Sequence, residues 1–94
     1  MSIVIIGGNE RMECQYKEIC KQHKCKVKIF TKMKSDLKNQ IGKPDLIILF
    51  TSTVAHKMVH CALNEANKHQ IVVERSHSSS ANALKSILKD YTVA

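Results

Sequence analysis

Residues 45–68 read DLIILFTSTVAHKMVHCALNEANK, and the change of period inside this stretch decides the fold. Asp45–Phe50 is apolar on both faces of a period-two ribbon, the pattern of a strand covered on both sides. From Val54 the apolar residues switch to helical spacing. Val54, Met58, Ala62 and Ala66 fall on one stripe with Val59 and Leu63 beside it, which predicts a helix to Lys68. A doubly covered strand running straight into an amphipathic helix is half of a β-α-β unit, so the stretch predicts a parallel sheet.

The same alternation continues outward. Ile3–Ile6 is a β-branched apolar run stopped by Gly7 and Gly8, and from Glu10 a helix puts Met12, Tyr16, Ile19, Cys20 and His23 on one face. CKVKIF (Cys25–Phe30) alternates apolar residues with Lys26 and Lys28, as an edge strand does. Ser35 is placed to cap a short helix carrying Leu37 and Ile41, ended by Gly42 and Pro44. Downstream, Ile71–Val73 reads as a short strand. A last helix, Ala81–Lys89, turns Leu84, Ile87 and Leu88 inward, with serines before it as caps. Strands and helices alternating in this way over residues 1–94 predict one α/β domain. The expected architecture is a Rossmann-like or flavodoxin-like open parallel sheet of order 2-1-3-4, helices on both faces and the Lys26–Lys28 strand at an edge.

Composition agrees. With 44% apolar residues, one proline and three glycines, the chain has enough hydrophobe for a core and no linker-like segment. MSIVIIGGNE lacks the basic flank and cleavage site of a signal peptide, and no apolar run approaches a membrane span, so a cytoplasmic protein is expected. The four cysteines show no C-x-x-C spacing and are expected mostly as buried thiols. The net charge of +7 is concentrated between Lys17 and Lys43, where nine lysines face only Glu18 and Asp36. One aromatic residue and no arginine in that block favour a solvated edge over a nucleic-acid or acidic-partner surface.

In sheets that reverse winding, ligands bind at the carboxyl ends of the strands beside the reversal. Three segments end there: Gly7, Gly8 and Asn9; Thr51, Ser52 and Thr53; and Glu74–Ser80. The glycines suit a sharp turn that exposes amides, but the pattern is not G-x-G-x-x-G, which argues against a dinucleotide. Thr51, Ser52, Thr53, Ser76, Ser78, Ser79 and Ser80 outnumber the caps two helices need, so a phosphate or carboxylate group is a candidate ligand, with Arg75 as counter-charge. His56, near the third position of its helix, and His77 offer imidazole nitrogens, and His60 lies one turn from His56 on the same side. Cys61 points about 100° away from His60, against a closed zinc site. No nucleophile stands with a base and an orienting carboxylate, which favours a binding module over an enzyme.

The segments GGNERMECQY (Gly7–Tyr16), PDLIILFTSTVAHKMVHCA (Pro44–Ala62) and IVVERSHSSSANAL (Ile71–Leu84) together resemble a family of small bacterial proteins known as domain of unknown function 2325 (DUF2325), nearly end to end. That resemblance supports the α/β fold and implies a haem-binding, oxygen-binding and dimeric protein. A haem would find its axial metal ligand in His56 or His77, its apolar slot in Met12, Val54 and Met58, and partners for its propionates in Arg11, Arg75 or the serines. So large a ring would need a homodimer interface to enclose it. The alternative expectation is a small-anion or nucleotide-phosphate binding module in the same crevice.

Overall fold

The computed structural model describes residues 1–32 and 35–91, so Lys34 of the lysine block and the side chain of Thr53 lie outside the described residues. Four parallel strands, β1 (Ser2–Gly7), β2 (Lys26–Phe30), β3 (Leu46–Phe50) and β4 (Val72–Ser76), form one sheet in the order β2-β1-β3-β4. This is the expected order, with the lysine-bearing strand at an edge. Ile3–Gly7 pairs in register with Leu46–Phe50 at the sheet centre, and each of these two strands has a further partner, β2 beside β1 and β4 beside β3.

The helices are α1 (Glu13–Gln22), α2 (Leu37–Ile41), α3 (His56–His69) and α4 (Ala81–Tyr91). Ile3, Ile5, Leu46, Ile48 and Phe50 face α1 and α4 through Tyr16, Ile19, Cys20, Leu84 and Leu88. Val4, Ile6, Ile47 and Leu49 face α2 and α3 through Leu37, Ile41, Met58, Ala62 and Ala66. Crossovers of one hand must change faces when the winding reverses direction, which is why α1 lies opposite α2 and α3. The reversal between β1 and β3 therefore sets the site described below.

Several local expectations need correction. A 3-10 turn (Glu10–Met12) precedes α1, and another (Thr51–Thr53) delays α3, so His56 is the first residue of its helix. β4 runs to Ser76, because its pairing with Leu46–Phe50 continues after the apolar residues stop. Strand length follows the backbone ladder, which the side-chain pattern underestimates. Ser35 caps nothing at α2, whose N-cap is Asp36 without a side-chain bond. Of the four cysteines, Cys20 and Cys25 are buried, Cys61 is half-buried and Cys14 is exposed.

Candidate functional site

The carboxyl ends of β1 and β3 are closed by an aromatic pair. Tyr16, fully buried on α1, stands with its ring centroid 5.4 Å from that of Phe50. Its hydroxyl donates to the Ser79 carbonyl at 2.5 Å and receives the Asn9 amide at 3.5 Å, so one residue ties two strand-end loops together. Gly8, at φ +90°, makes room for it: a Cβ there would sit 3.0 Å from the Tyr16 ring. The glycine pair thus serves the turn and the close approach of this ring. Asn9 is equally local, its Oδ1 accepting from the Arg11 amide at 2.9 Å to cap the first 3-10 turn.

The hydroxyl cluster is assembled as expected, but much of its bonding capacity is used within the loops. Thr51 Oγ1 donates to the Ser76 carbonyl at 3.4 Å, fastening the β3–α3 loop to the end of β4. Ser76 Oγ donates to the Ser78 carbonyl at 2.7 Å, and Ser78 Oγ to Ser80 Oγ at 3.1 Å. Ser80 Oγ accepts the Ala83 amide at 3.1 Å and so caps α4. Turn and cap bonds of this kind engage four of the hydroxyls, Thr51, Ser76, Ser78 and Ser80. Ser52 is exposed, as are Arg11 and Arg75.

Two exposed histidines flank this rim. His77 lies on the β4–α4 loop. His56 lies at the start of α3, where its Nε2 stands 3.1 Å from Nε2 of His60 and the two rings meet edge to face. A bond between two ring nitrogens needs one donor and one acceptor, so one Nε2 of the pair donates its proton and the other accepts it with its lone pair. Among the described residues no three His, Cys, Asp or Glu side chains gather to hold a bare metal ion.

The residues expected to line an apolar slot divide. Met12 and Val54 are half-buried at the rim, Met12 with its sulfur 3.8 Å from the Tyr16 hydroxyl. Met58 is a correction: it is fully buried in the α2–α3 core, because the same helical stripe that recommends it as a lining residue points it into the sheet. Two features escaped the sequence reading. The reach of Tyr16 across to Ser79 has no signal in spacing, whereas the buried Glu65 had one, a charged residue interrupting the apolar face beside Ala62 and Ala66.

The family model described as "Uncharacterized protein conserved in bacteria (DUF2325)" matches residues 2–91. No curated protein matches the sequence. Among solved structures, two de novo designed Rossmann fold proteins are similar. One has a TM-score of 0.65 at 13% identity, covering 98% of this chain and 97% of the design. The other has a TM-score of 0.62 at 12% identity, covering 99% and 97%. Likeness at that identity speaks to the fold alone.

Proposed function

Because this chain belongs to the DUF2325 family, we propose, from its exposed strand-end imidazoles, that it is a haem-binding module working as a homodimer, with His56 or His77 as axial ligand. The observation that carries this reading is the placement of two exposed imidazoles at the carboxyl ends of the strands, His56 at the start of α3 and His77 after β4; the 3.1 Å His56–His60 contact would have to open for the His56 Nε2 to meet iron. The fit to an iron porphyrin is one-sided. The rim offers axial nitrogen, exposed Arg11 and Arg75 for the propionates, and an apolar border at Val54 and Met12. Tyr16 and Phe50 fill the crevice floor, so the ring would lie across the strand ends instead of entering the sheet. A second copy is needed to cover its other face. Bound there, haem supplies an iron able to take a small gas or an electron. The chain's own groups orient the ring: His56 or His77 holds the iron, and the Thr51–Ser76 bond keeps their two loops in fixed relation.

The test is haem titration of the apo protein, read by the Soret band and by sedimentation. Wild type is expected to take up haem and to sediment as a dimer when loaded. His56→Ala or His77→Ala should shift the band and weaken retention by roughly tenfold or more, as loss of a metal ligand does. His23→Ala and His69→Ala should change neither, since His23 bonds the Ile19 carbonyl at the end of α1 and His69 sits at the far end of α3. If apo protein takes up no haem, or both rim variants behave as wild type, the reading is wrong and anion binding in the same place takes precedence.

A further inference from the structure

The turn that ends α1 brings two thiols together. Lys24 is left-handed at φ 58°, its amide meets the Lys21 carbonyl at 2.9 Å, and the Cys25 amide meets the Cys20 carbonyl at 2.8 Å. That pair of bonds is a Schellman motif, in which the side chains three before the cap residue and two after it commonly touch. With His23 as the cap residue, those positions are Cys20 and Cys25. The 2.8 Å bond itself limits their separation. Cα to carbonyl oxygen spans about 2.4 Å and amide nitrogen to Cα about 1.5 Å, so the two Cα atoms lie within about 6.7 Å, inside the roughly 7 Å that a disulfide can bridge. Both side chains belong to the core layer between α1 and the sheet. The Cys25 sulfur turns back toward the helix, donating to the His23 carbonyl at 3.3 Å. Burial first and the neighbouring Cys25 second push the Cys20 thiol up to about 12, so the two sulfurs lie within each other's field.

We propose that Cys20 and Cys25 form a reversible disulfide, a clasp between the end of α1 and the start of β2, by exchange with a small anionic disulfide of the glutathione class. Cys25 is the entry point. It is 8% exposed against 0% for Cys20, and it lies in a helix-end turn, where local opening is easiest. Exposed Lys21, Lys24 and Lys26 surround it, an electropositive setting that draws an anionic oxidant. In the first exchange the Cys25 sulfur attacks one sulfur of the small disulfide, whose bond breaks, and the departing thiol carries away the Cys25 proton. In the second the Cys20 sulfur attacks the Cys25 sulfur of the mixed disulfide, and the second small thiol leaves with the Cys20 proton. The pair is oxidised by two electrons and the small disulfide is reduced to two thiols. Because Cys20 holds its proton strongly, the second exchange is the slow one. Where the surrounding thiol pool is reducing the clasp opens again, so it reports that pool and is no permanent brace. The inference goes beyond the haem reading and shares no residue with it.

The experiment equilibrates the folded full chain with glutathione buffers of rising oxidised fraction, quenches it with acid, then unfolds it and blocks the remaining thiols with N-ethylmaleimide. Intact mass and a peptide map give the outcome. Wild type should lose the Cys20 and Cys25 thiols together in one two-electron step and regain both with dithiothreitol. Cys14, which is exposed, should take up glutathione by itself and so marks the background. Hydrogen exchange at the Cys25 amide should slow by roughly tenfold or more on oxidation, because the closed loop braces the turn. Cys20→Ala should stop at a mixed disulfide on Cys25, and Cys25→Ala should leave the fully buried Cys20 unmodified. The proposal is overturned by a wild type in which Cys20 and Cys25 stay blockable at every oxidised fraction, or which stops at the mixed disulfide. So it is by a Cys20–Cys25 bond that forms only in urea, or by unchanged exchange at Cys25 on oxidation.

Discussion

Gly8 and Tyr16 act as one unit, and the cost of separating them can be predicted from geometry. Alanine at position 8 would adopt a φ of +90° and place its Cβ 3.0 Å from the Tyr16 ring and 3.1 Å from Phe50. The backbone contributes about 1–2 kcal/mol of strain and the overlap about 1–3 kcal/mol. Gly8→Ala is therefore expected to lower unfolding stability by roughly 2–5 kcal/mol in urea titration, the sum of those two terms. A loss under about 0.5 kcal/mol, the size of a neutral surface change, would mean the ring moves freely and does not tie the loops. Helical spacing in the sequence already turns Tyr16 inward. It says nothing about what lies opposite, and the hydroxyl's partner, Ser79, is 63 residues away in the chain. Face is a local property; partner is not, which is why the rim residues were legible and the closed crevice floor behind them was not.

Helix ends carry the next lesson. Both long inner crossings stop on a residue with positive φ that is not glycine: Lys24 at 58° after α1 and Gln70 at 54° after α3. Each is followed by the amide that closes the helix, Cys25 to the Cys20 carbonyl and Ile71 to the Ala66 carbonyl, both at 2.8 Å. That is the Schellman arrangement, in which glycine is the favoured residue. Gln70 is exposed and its side chain is not needed for the turn. Gln70→Gly should raise stability by about 1 kcal/mol, the left-handed penalty removed less the glycine entropy added, and hydrogen exchange at Ile71 should slow correspondingly. An unchanged or lower urea midpoint would show that Gln70 holds the α3–β4 connection by contacts other than its backbone. Neither left-handed residue was marked in the sequence, because neither is glycine, although the apolar stripe placed the end of α3 at Lys68, one residue short; Gly42 after α2 did announce itself. Strands gave the converse error. The apolar run Ile71–Val73 stops early, but edge-strand residues Glu74–Ser76 remain in the ladder since backbone amides, blind to side-chain polarity, keep pairing with β3.

For the molecule as a whole, charge is the quantity still unbalanced. The excess positive charge lies on α1, β2, α2 and their connections, where Lys17, Lys21, Lys24, Lys26, Lys28, Lys32, Lys38 and Lys43 are all exposed. Of these, Lys32 pairs with Glu10 at 2.9 Å, and Lys28 donates to the Gln40 carbonyl at 3.2 Å. The molecule extends 33 × 27 × 19 Å. At about 0.01 M salt the screening length is about 30 Å, so every lysine of the block feels the others; at about 0.1 M it is about 10 Å, and only neighbours do. Self-repulsion of the fold should therefore relax with added sodium chloride, and the melting temperature should rise by several degrees between about 10 and 300 mM. For a domain of this size about 1 kcal/mol corresponds to about 4–8 °C. Lys28→Glu should raise the melting temperature at low salt and flatten the slope, because it converts a repelling edge residue into a pairing one. The same measurement decides whether the block is a binding surface. Short duplex DNA at micromolar concentration should add nothing beyond its ionic strength if the lysines are a solvated edge that keeps β2 from pairing with other strands. Stabilisation by micromolar DNA that vanishes at high salt, with a flat chloride response, would instead make the block a polyanion site and move the search for function away from the strand ends.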